Sequence, residues 1–504
     1  MSECMNLAEL LDGPRSALLR RRLRARLAAA AARGLLSVTL DLGAGKDERW
    51  LDVDLAQAQL NWWARPTEAG RDSPQRTGAG GDFRLAIGSA MSFTSAGAAR
   101  FSALQAAFSG LAPVWEHDDW QHTGFVPAAH IGFAFAENTE NTRNAADSAD
   151  DLPNARLLVP AILLANRAGR CTATFSCAVR EGESAIERWR SALRAAQSPE
   201  RAPERTPAPA AAASVVRRRS AALADRAFLA RARAALAAIA GGGVDKLVLA
   251  RSVYVDSSKR IDPAALLAAL ADRHPECTIY GVGEREQCFL GATPERLVSL
   301  RHGLVEADAL AGTAWPVAAA NPRAASVLAL QHDKNTHEQQ LVVDAVRAAL
   351  LPLCAVLASP TPAEVLQLRE LQHLRTRVRG HVRPGVGLFD LIACLHPTPA
   401  VGGVPSGAAR HWLRSHGDRR GAWYSGGIGW IDRDGDGEAV VALRCARIKG
   451  SEAELFAGAG IVAGSDPAQE FAETEAKMAV IAEALRQPLG QALRGVPGQV
   501  SRSA

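Results

Sequence analysis

The stretch FAGAGIVAGSDPAQEFAETEAK (456–477) decides how this chain is read. An apolar run broken by Gly458, Gly460 and Gly464 enters the turn Ser465-Asp466-Pro467, and a helix follows over Glu470–Leu485. Such a glycine run invites a dinucleotide-binding reading. That motif needs a following βαβ unit and an acidic residue about 20 positions on. Only 40 residues follow Gly464, and they read mainly as helix. The glycines instead mark backbone that comes close to some other group. Glu470, Glu473 and Lys477 stand at i, i+3 and i+7, so the helix turns two carboxylates and an ammonium to one face.

Outward from this segment, KLVLARSVYV (246–255) reads as a strand, and Thr278–Tyr280 and Cys288–Leu290 as a hairpin. His337–Leu351 carries Leu341, Val342, Ala345, Val346, Ala349 and Leu350 at helical spacing. Trp423–Ile431 and Ala439–Leu443 read as two strands joined by a turn. That turn, Asp432-Arg-Asp434-Gly-Asp436-Gly437, imitates a calcium loop, but its twelfth position is Leu443 instead of Glu and neither flank is helical. A polar hairpin turn is the better reading. Strands and helices do not alternate regularly, so the pattern predicts an α+β fold with large antiparallel sheets, not a doubly wound one.

Three segments fall outside this pattern. A basic helix is expected over 15–33, with Arg15, Arg20, Arg21, Arg22, Arg24, Arg26 and Arg33 between Pro14 and Gly34. Its arginines are read as a solvated face. Residues 136–156 are polar and poor in hydrophobes, as in a surface loop. Residues 197–214 are rich in proline and alanine and read as a connector between an N-terminal part (81–196) and a C-terminal part (215–490). The first 80 residues and the tail 491–504 stand apart from both.

The chain has 504 residues, 48% hydrophobic and 22% charged, which excludes a disordered or fibrous protein. A net charge of +5 over this length is too weak to indicate nucleic acid or an anionic membrane as partner. No apolar stretch reaches the roughly 18 residues a spanning helix needs. The first twelve residues carry Glu3, Glu9 and Asp12 and lack the apolar core of a secretory signal. Eight cysteines are scattered without metal-type or redox-type spacing. A cytoplasmic protein with reduced thiols is the expectation.

Several polar residues interrupt otherwise apolar segments of the C-terminal part. Lys246 opens a strand, Glu295 sits in the turn GATPER (291–296), and Gly312-Thr313 follows ALA (309–311). His337-Glu338 begins a helix, His373 lies between leucines in LQHL (371–374), and Arg444 ends VALR (441–444). Singly, each charge is more often a solvated group and a histidine between leucines more often a core residue. Together they compose a site. Glu338, Glu470 and Glu473 offer the hard oxygen donors that suit Mg²⁺. Arg444 and Lys477 suit an anionic substrate. Lys246 and Glu295 remain as base and acid.

These segments resemble the chorismate-utilising enzymes, most closely the isochorismate synthases. The resemblance runs through KLVLAR (246–251), FLGATPERL (289–297), ALAGTA (309–314), HEQQLVVDAV (337–346), LQHL (371–374), LHPTPAVGG (395–403), WYSGGIGWID (423–432), VALRCARI (441–448) and 456–477. Nine motifs in one order over about 230 residues leave no room for chance. A fainter likeness continues through FRLAIGSAMSFTSAG (83–97) and HIGFAF (130–135). It implies one large chorismate-binding domain of layered antiparallel sheets flanked by helices, with the connector inside it.

The resemblance also implies roles. Isochorismate synthases are isomerases that add water at C2 of chorismate and expel the C4 hydroxyl. Lys246 matches the general base and Glu295 the general acid. Glu338, Glu470 and Glu473 match ligands of Mg²⁺. Tyr424 and Arg444 match the grip on the enolpyruvyl carboxylate. Gly312, Thr313, His373, Gly458, Gly460 and Lys477 line the substrate. Ammonia-using relatives carry Gln where this chain has Lys246, and aminodeoxychorismate synthases carry Lys where it has Ala311. No glutamine amidotransferase subunit is therefore expected. Salicylate synthases share the lysine and then eliminate pyruvate, so that activity stays open as the alternative. An amino-transferring enzyme or an inactive partner subunit fits less well, since every catalytic and metal position is filled.

Overall fold

A computed structural model describes residues 10–11, 13–28, 34–44, 60–65, 82–137, 152–167, 169–197, 215–219, 221–284, 286–314, 333–368 and 372–486. Most of the polar run 136–156, residues 198–214 of the connector, residues 29–33 of the expected basic helix and the tail 491–504 lie outside the described residues.

Two large sheets carry the fold, with thirteen and ten strands among the described residues. The larger runs from Val216–Arg218 through Lys246–Ser257, Glu452–Val462, Cys445–Lys449, Gln287–Thr293 and Thr278–Glu284. It continues through Leu60–Arg65, Asp82–Ile87, Ile162–Arg167, Arg170–Ala178 and Leu35–Ala44 to Trp115–Asp118. The smaller runs from Cys354–Leu357 through Gln372–Val382, Leu304–Ala314, Arg296–Arg301, Gly437–Val441 and Gly427–Asp432 to Ala128–Phe133, Ala155–Val159 and Met91–Ser95. Pairing is antiparallel throughout, except that Leu35–Ala44 lies parallel to Trp115–Asp118. Both sheets draw strands from either side of residues 197–214. This is the expected α+β architecture.

The central strands are buried on both faces, which is why Gln287–Thr293 and the first half of Lys246–Ser257 read as near-continuous apolar runs. Between the sheets, Trp63, Tyr280 and Phe289 of the larger pack with Ile428, Trp430 and Val440 of the smaller. The Arg84 guanidinium lies 3.7 Å from the centroid of the Trp430 ring across the same layer. The outer face of the larger sheet is covered by helices contributing Trp189, Leu193, Leu267 and Ile481. The outer face of the smaller is covered by helices contributing Phe101, Leu104, Val342, Val346 and Ile392.

Local chemistry fixes the helix starts. Asp466 Oδ1 accepts from Ala468 N and Gln469 N, both at 2.9 Å, and starts the helix Pro467–Arg486 at the expected turn. Asp262 does the same for Pro263–Arg273, with proline in the first position. The basic helix spans Gly13–Leu27, burying Leu19 and Leu23 and exposing Arg20, Arg21 and Arg24. The calcium-like run is a hairpin turn in which Asp432 Oδ1 accepts from Asp434 N and Asp436 N.

Two expected strands are shorter than the sequence suggests. Trp423–Gly426 is a turn, closed by Gly426 N to Trp423 O at 2.8 Å, and the strand begins at Gly427. The turn runs so close to its neighbour that a Cβ on Gly426 would stand 1.9 Å from Phe133 O. The second strand ends at Val441, because Ala442–Arg444 carry the chain across to the larger sheet.

Gly132 exists to admit the Trp423 ring, which a Cβ there would meet at 2.0 Å. Trp423 is itself buried, with its indole N–H on Pro153 O. Gly132→Ala is expected to cost about 1–3 kcal/mol through overpacking and to lower the thermal midpoint by several degrees. An unchanged midpoint would mean that the Trp423 ring has room to shift.

Candidate active site

The chain crosses between the sheets at two neighbouring corners, and these build the site. One lies between Thr293 and Arg296, where Gln287–Thr293 of the larger sheet gives way to Arg296–Arg301 of the smaller. The other lies between Val441 and Cys445 and runs the opposite way. They are bonded to each other, Val441 N to Glu295 O and Ala292 N to Arg444 O, both at 3.1 Å. Glu295 and Arg444 thus face one cavity, about 700 Å³ counted to its open mouth.

The cavity floor comes from Lys246–Ser257 and Glu452–Val462, paired so that Val248 opposes Gly460 and Ala250 opposes Gly458. The two glycines act by what they omit. A Cβ on Gly458 would stand 2.9 Å from both the Tyr424 hydroxyl and Leu249 O. A Cβ on Gly460 would stand 2.8 Å from Glu338 Oε1 and 3.1 Å from Lys246 Cε. Tyr424 stacks on Phe456 at 5.3 Å between centroids. Another wall comes from Leu304–Ala314, whose pairing with Gln372–Val382 slips between Ala311 and Thr313 at Gly312, with φ +66°.

Lys246 is buried and its Nζ lies 2.9 Å from Glu338 Oε1, on the helix Asp333–Leu350. Lys477 Nζ lies 2.6 Å from Glu473 Oε1 and donates to Gly458 O at 2.9 Å. Thr313 Oγ1 donates to the same Glu473 oxygen at 3.2 Å. Arg444 Nη2 lies 2.8 Å from His373 Nε2, and His373 Nδ1 lies 3.1 Å from Gly312 O. A guanidinium can only donate and a carbonyl can only accept, so the ring is neutral, with its proton on Nδ1. Burial pushes the His373 value well below the ordinary one, and Arg444 and Lys477 push the same way.

Glu295 is placed differently from the other carboxylates. It is bonded by a hydroxyl, Thr398 Oγ1 to Oε1 at 3.3 Å, not by an ammonium. Burial pushes its carboxyl up from 4.5 to about 8; Thr398 opposes the rise, the buried Asp308 adds to it, and Lys246 and Lys477 oppose it. A glutamate held in this way keeps its proton at neutral pH and can give it up.

Twelve of the thirteen expected residues line this cavity. Glu470 is buried in the first turn of its helix and is not among the lining residues. The donor set fits a hard dication by chemistry, since Glu338 and Glu473 present carboxylate oxygens to the cavity. In the structure lysine ammonium groups neutralise those oxygens, and no three His, Cys, Asp or Glu side chains converge at metal spacing among the described residues. Thr398 lies in the segment 395–403, and nothing in its residue type or spacing marks it as part of the site. Its one signal is its place in a proline-rich loop that packs on Glu295.

The chorismate binding enzyme family matches residues 75–486, and the chain belongs to it. The chain is 38% identical over 252 residues to the salicylate biosynthesis isochorismate synthase of Pseudomonas aeruginosa, covering 50% of this chain and 53% of that protein. It is 37% identical over 262 residues to isochorismate synthase DhbC of Bacillus subtilis, covering 50% and 65%. The chain thus spans about half to two-thirds of the length of these relatives. The fold is similar to that of MenF, the menaquinone-specific isochorismate synthase of Escherichia coli, with TM-score 0.71 and 23% identity over 94% of this chain and 100% of that one. It is also similar to anthranilate synthase component I of Streptococcus pneumoniae, with TM-score 0.62 and 19% identity over 83% and 95%. No helix among the described residues is long and apolar enough to cross a membrane.

Because the folded-state value of Glu295 lies above its unfolded value, its protonation contributes stability in full below about 4.5, and the contribution is lost as pH rises through about 8. The thermal midpoint of the native chain is expected to fall relative to that of Glu295→Gln across this window. Parallel midpoint curves for the two proteins would show that Glu295 ionises at its ordinary value.

Proposed function

We propose that this chain is an isochorismate synthase, converting chorismate to isochorismate by adding water at C2 and expelling the C4 hydroxyl. The observation that carries the reading is that Lys246, Glu295 and Arg444 line one cavity. A base, an acid held protonated and a carboxylate-binding fork are the three groups the reaction needs. Lysine at 246 and alanine at 311 support water as the nucleophile over ammonia.

In this reading Arg444 grips the enolpyruvyl carboxylate, and His373, by accepting from its guanidinium, holds the fork in one orientation. Tyr424 lies beside it, and Lys477 adds positive charge from the helix. Lys246, acting as the free amine after its ammonium proton has gone to solvent, takes a proton from a water molecule as the oxygen bonds to C2. The ring double bonds shift, the C4–oxygen bond breaks, and Glu295 gives its proton to the departing hydroxyl, which leaves as water. Return of a proton from Lys246 to Glu295 closes the cycle with no net change in atoms. Glu338 and Glu473 would hold Mg²⁺ in the cavity, joined by Glu470 only if its buried carboxylate turns toward them. Bound there, the ion would supply positive charge that offsets the ring carboxylate of the substrate. Lys246 and Lys477 neutralise Glu338 and Glu473 otherwise.

The test is chromatographic product analysis of the purified protein with chorismate and Mg²⁺, repeated with EDTA. Isochorismate as sole product, lost with EDTA and restored by excess Mg²⁺, is the expected result. Salicylate with pyruvate would move the assignment to salicylate synthase. Lys246→Gln and Glu295→Gln are each expected to lower kcat by about 10²–10⁴, and full turnover in either would remove that residue from the mechanism. kcat/KM is expected to fall as pH rises through about 8, where Glu295 loses its proton.

A further inference from the structure

The corner that carries Arg444 is held by a residue outside the cavity. Between Val441 and Cys445 three successive carbonyls each take a partner from a different segment. Ala442 O accepts from Ser425 N at 2.9 Å, and Arg444 O from Ala292 N at 3.1 Å. Between them, Leu443 O accepts from the Tyr280 hydroxyl at 2.9 Å. The outer two donors are backbone amides, while the middle donor is a side chain and can be deleted without touching the chain path.

Arg444 itself has φ +48°, a left-handed conformation that side chains rarely adopt and that persists only where the surroundings hold it. Tyr280 is fully buried in the strand Thr278–Glu284 and does not line the cavity. Its ring packs near Phe289 at 6.0 Å between centroids. Its hydroxyl reaches the corner across Gly291, where a Cβ would stand 2.6 Å from the hydroxyl and 2.7 Å from Arg444 O. Glycine at 291 leaves the slot in which hydroxyl and corner meet.

We propose that Tyr280 is a positioning residue for substrate binding: through the Leu443 carbonyl it holds the left-handed turn that aims the Arg444 guanidinium into the cavity. The proposal rests on the reading of Arg444 as the group that grips a substrate carboxylate. With the hydroxyl gone, Leu443 O loses its partner and the turn its central restraint. His373 then holds the far end of a side chain whose backbone is free to relax. A hydroxyl that served only the core would change stability and leave substrate binding alone.

The test is steady-state kinetics on chorismate for Tyr280→Phe, Arg444→Ala and the double variant, with thermal midpoints alongside. Phenylalanine keeps the ring in its packing and removes only the hydroxyl, with its bond to Leu443 O and its contact with the Cys445 thiol at the end of the same corner. Tyr280→Phe is expected to raise KM about five- to tenfold, the worth of one hydrogen bond, with kcat held within about twofold. In the Arg444→Ala background the same change is expected to add nothing to KM, because its route is already cut. Gly291→Ala, which crowds the slot, is expected to raise KM in the same direction. An unchanged KM in Tyr280→Phe overturns the proposal, as does an equal rise in both backgrounds. A KM untouched by Arg444→Ala overturns instead the reading of Arg444 on which the proposal stands.

Discussion

The structure depends on one constraint: two strands must leave one sheet and enter the other side by side. Where they do, the backbone turns sharply, and each turn takes its hydrogen bonds from the other, Val441 N to Glu295 O and Ala292 N to Arg444 O. The backbones that carry Glu295 and Arg444 are therefore tied directly to each other by main-chain bonds. The same device occurs in the N-terminal part. Asp82–Ile87 passes to Met91–Ser95, and Ala155–Val159 passes to Ile162–Arg167, tied by Ala90 N to Val159 O and Ala161 N to Gly88 O. Small residues fill those corners, while the C-terminal pair holds Glu295 and Arg444. One architectural element thus serves once as a joint and once as the frame of a site.

Charge in the cavity is organised by pairing. Lys246 faces Glu338, Lys477 faces Glu473, and Arg444 faces a neutral histidine. Buried charges of this kind persist only when compensated, since desolvation would otherwise neutralise them. Glu295 escapes the pattern by having a hydroxyl as partner, and burial then resolves its charge by keeping the proton on. Asp308, buried behind it, works in the same direction. Two carboxylate environments coexist within one cavity, one ionised against ammonium and one protonated.

The motifs exposed most of the site in the sequence because each polar residue interrupts an apolar run, and such interruptions stand out. Lys246, Glu295, His373 and Arg444 were legible for that reason, as was the helix that starts at Asp466 and carries Glu473 and Lys477. The fold class was legible from irregular ordering of strands and helices. What stayed hidden depends on contacts between distant segments. Trp423–Gly426 is apolar and aromatic like a strand, yet it turns because it approaches the Phe133 backbone. Ala442–Arg444 continues the pattern of its strand while leaving the sheet. Thr398 and Tyr280 look like ordinary loop and core residues until their hydroxyls are found on Glu295 and Leu443. The burial of Glu470 away from the cavity lining could not follow from helical spacing, which sets a shared face but not its depth.

The glycine floor has a consequence for how such a pocket can diversify. At Gly458 and Gly460 even one methyl group would collide with backbone, a hydroxyl or the Lys246–Glu338 pair. Gly460 is closed to variation for as long as the Lys246–Glu338 pair is kept, and Gly458 for as long as the Tyr424 hydroxyl and the Leu249 carbonyl hold their places. The lining also includes Leu310, Ala311, Ala400 and Val401, whose side chains are uncharged and leave those pairs alone. A cavity with a rigid floor and exchangeable walls can change what it accepts without disturbing what it does. Substitutions at those wall positions can reshape the cavity while Lys246, Glu295 and Arg444 keep their places on the strands and corners that carry them.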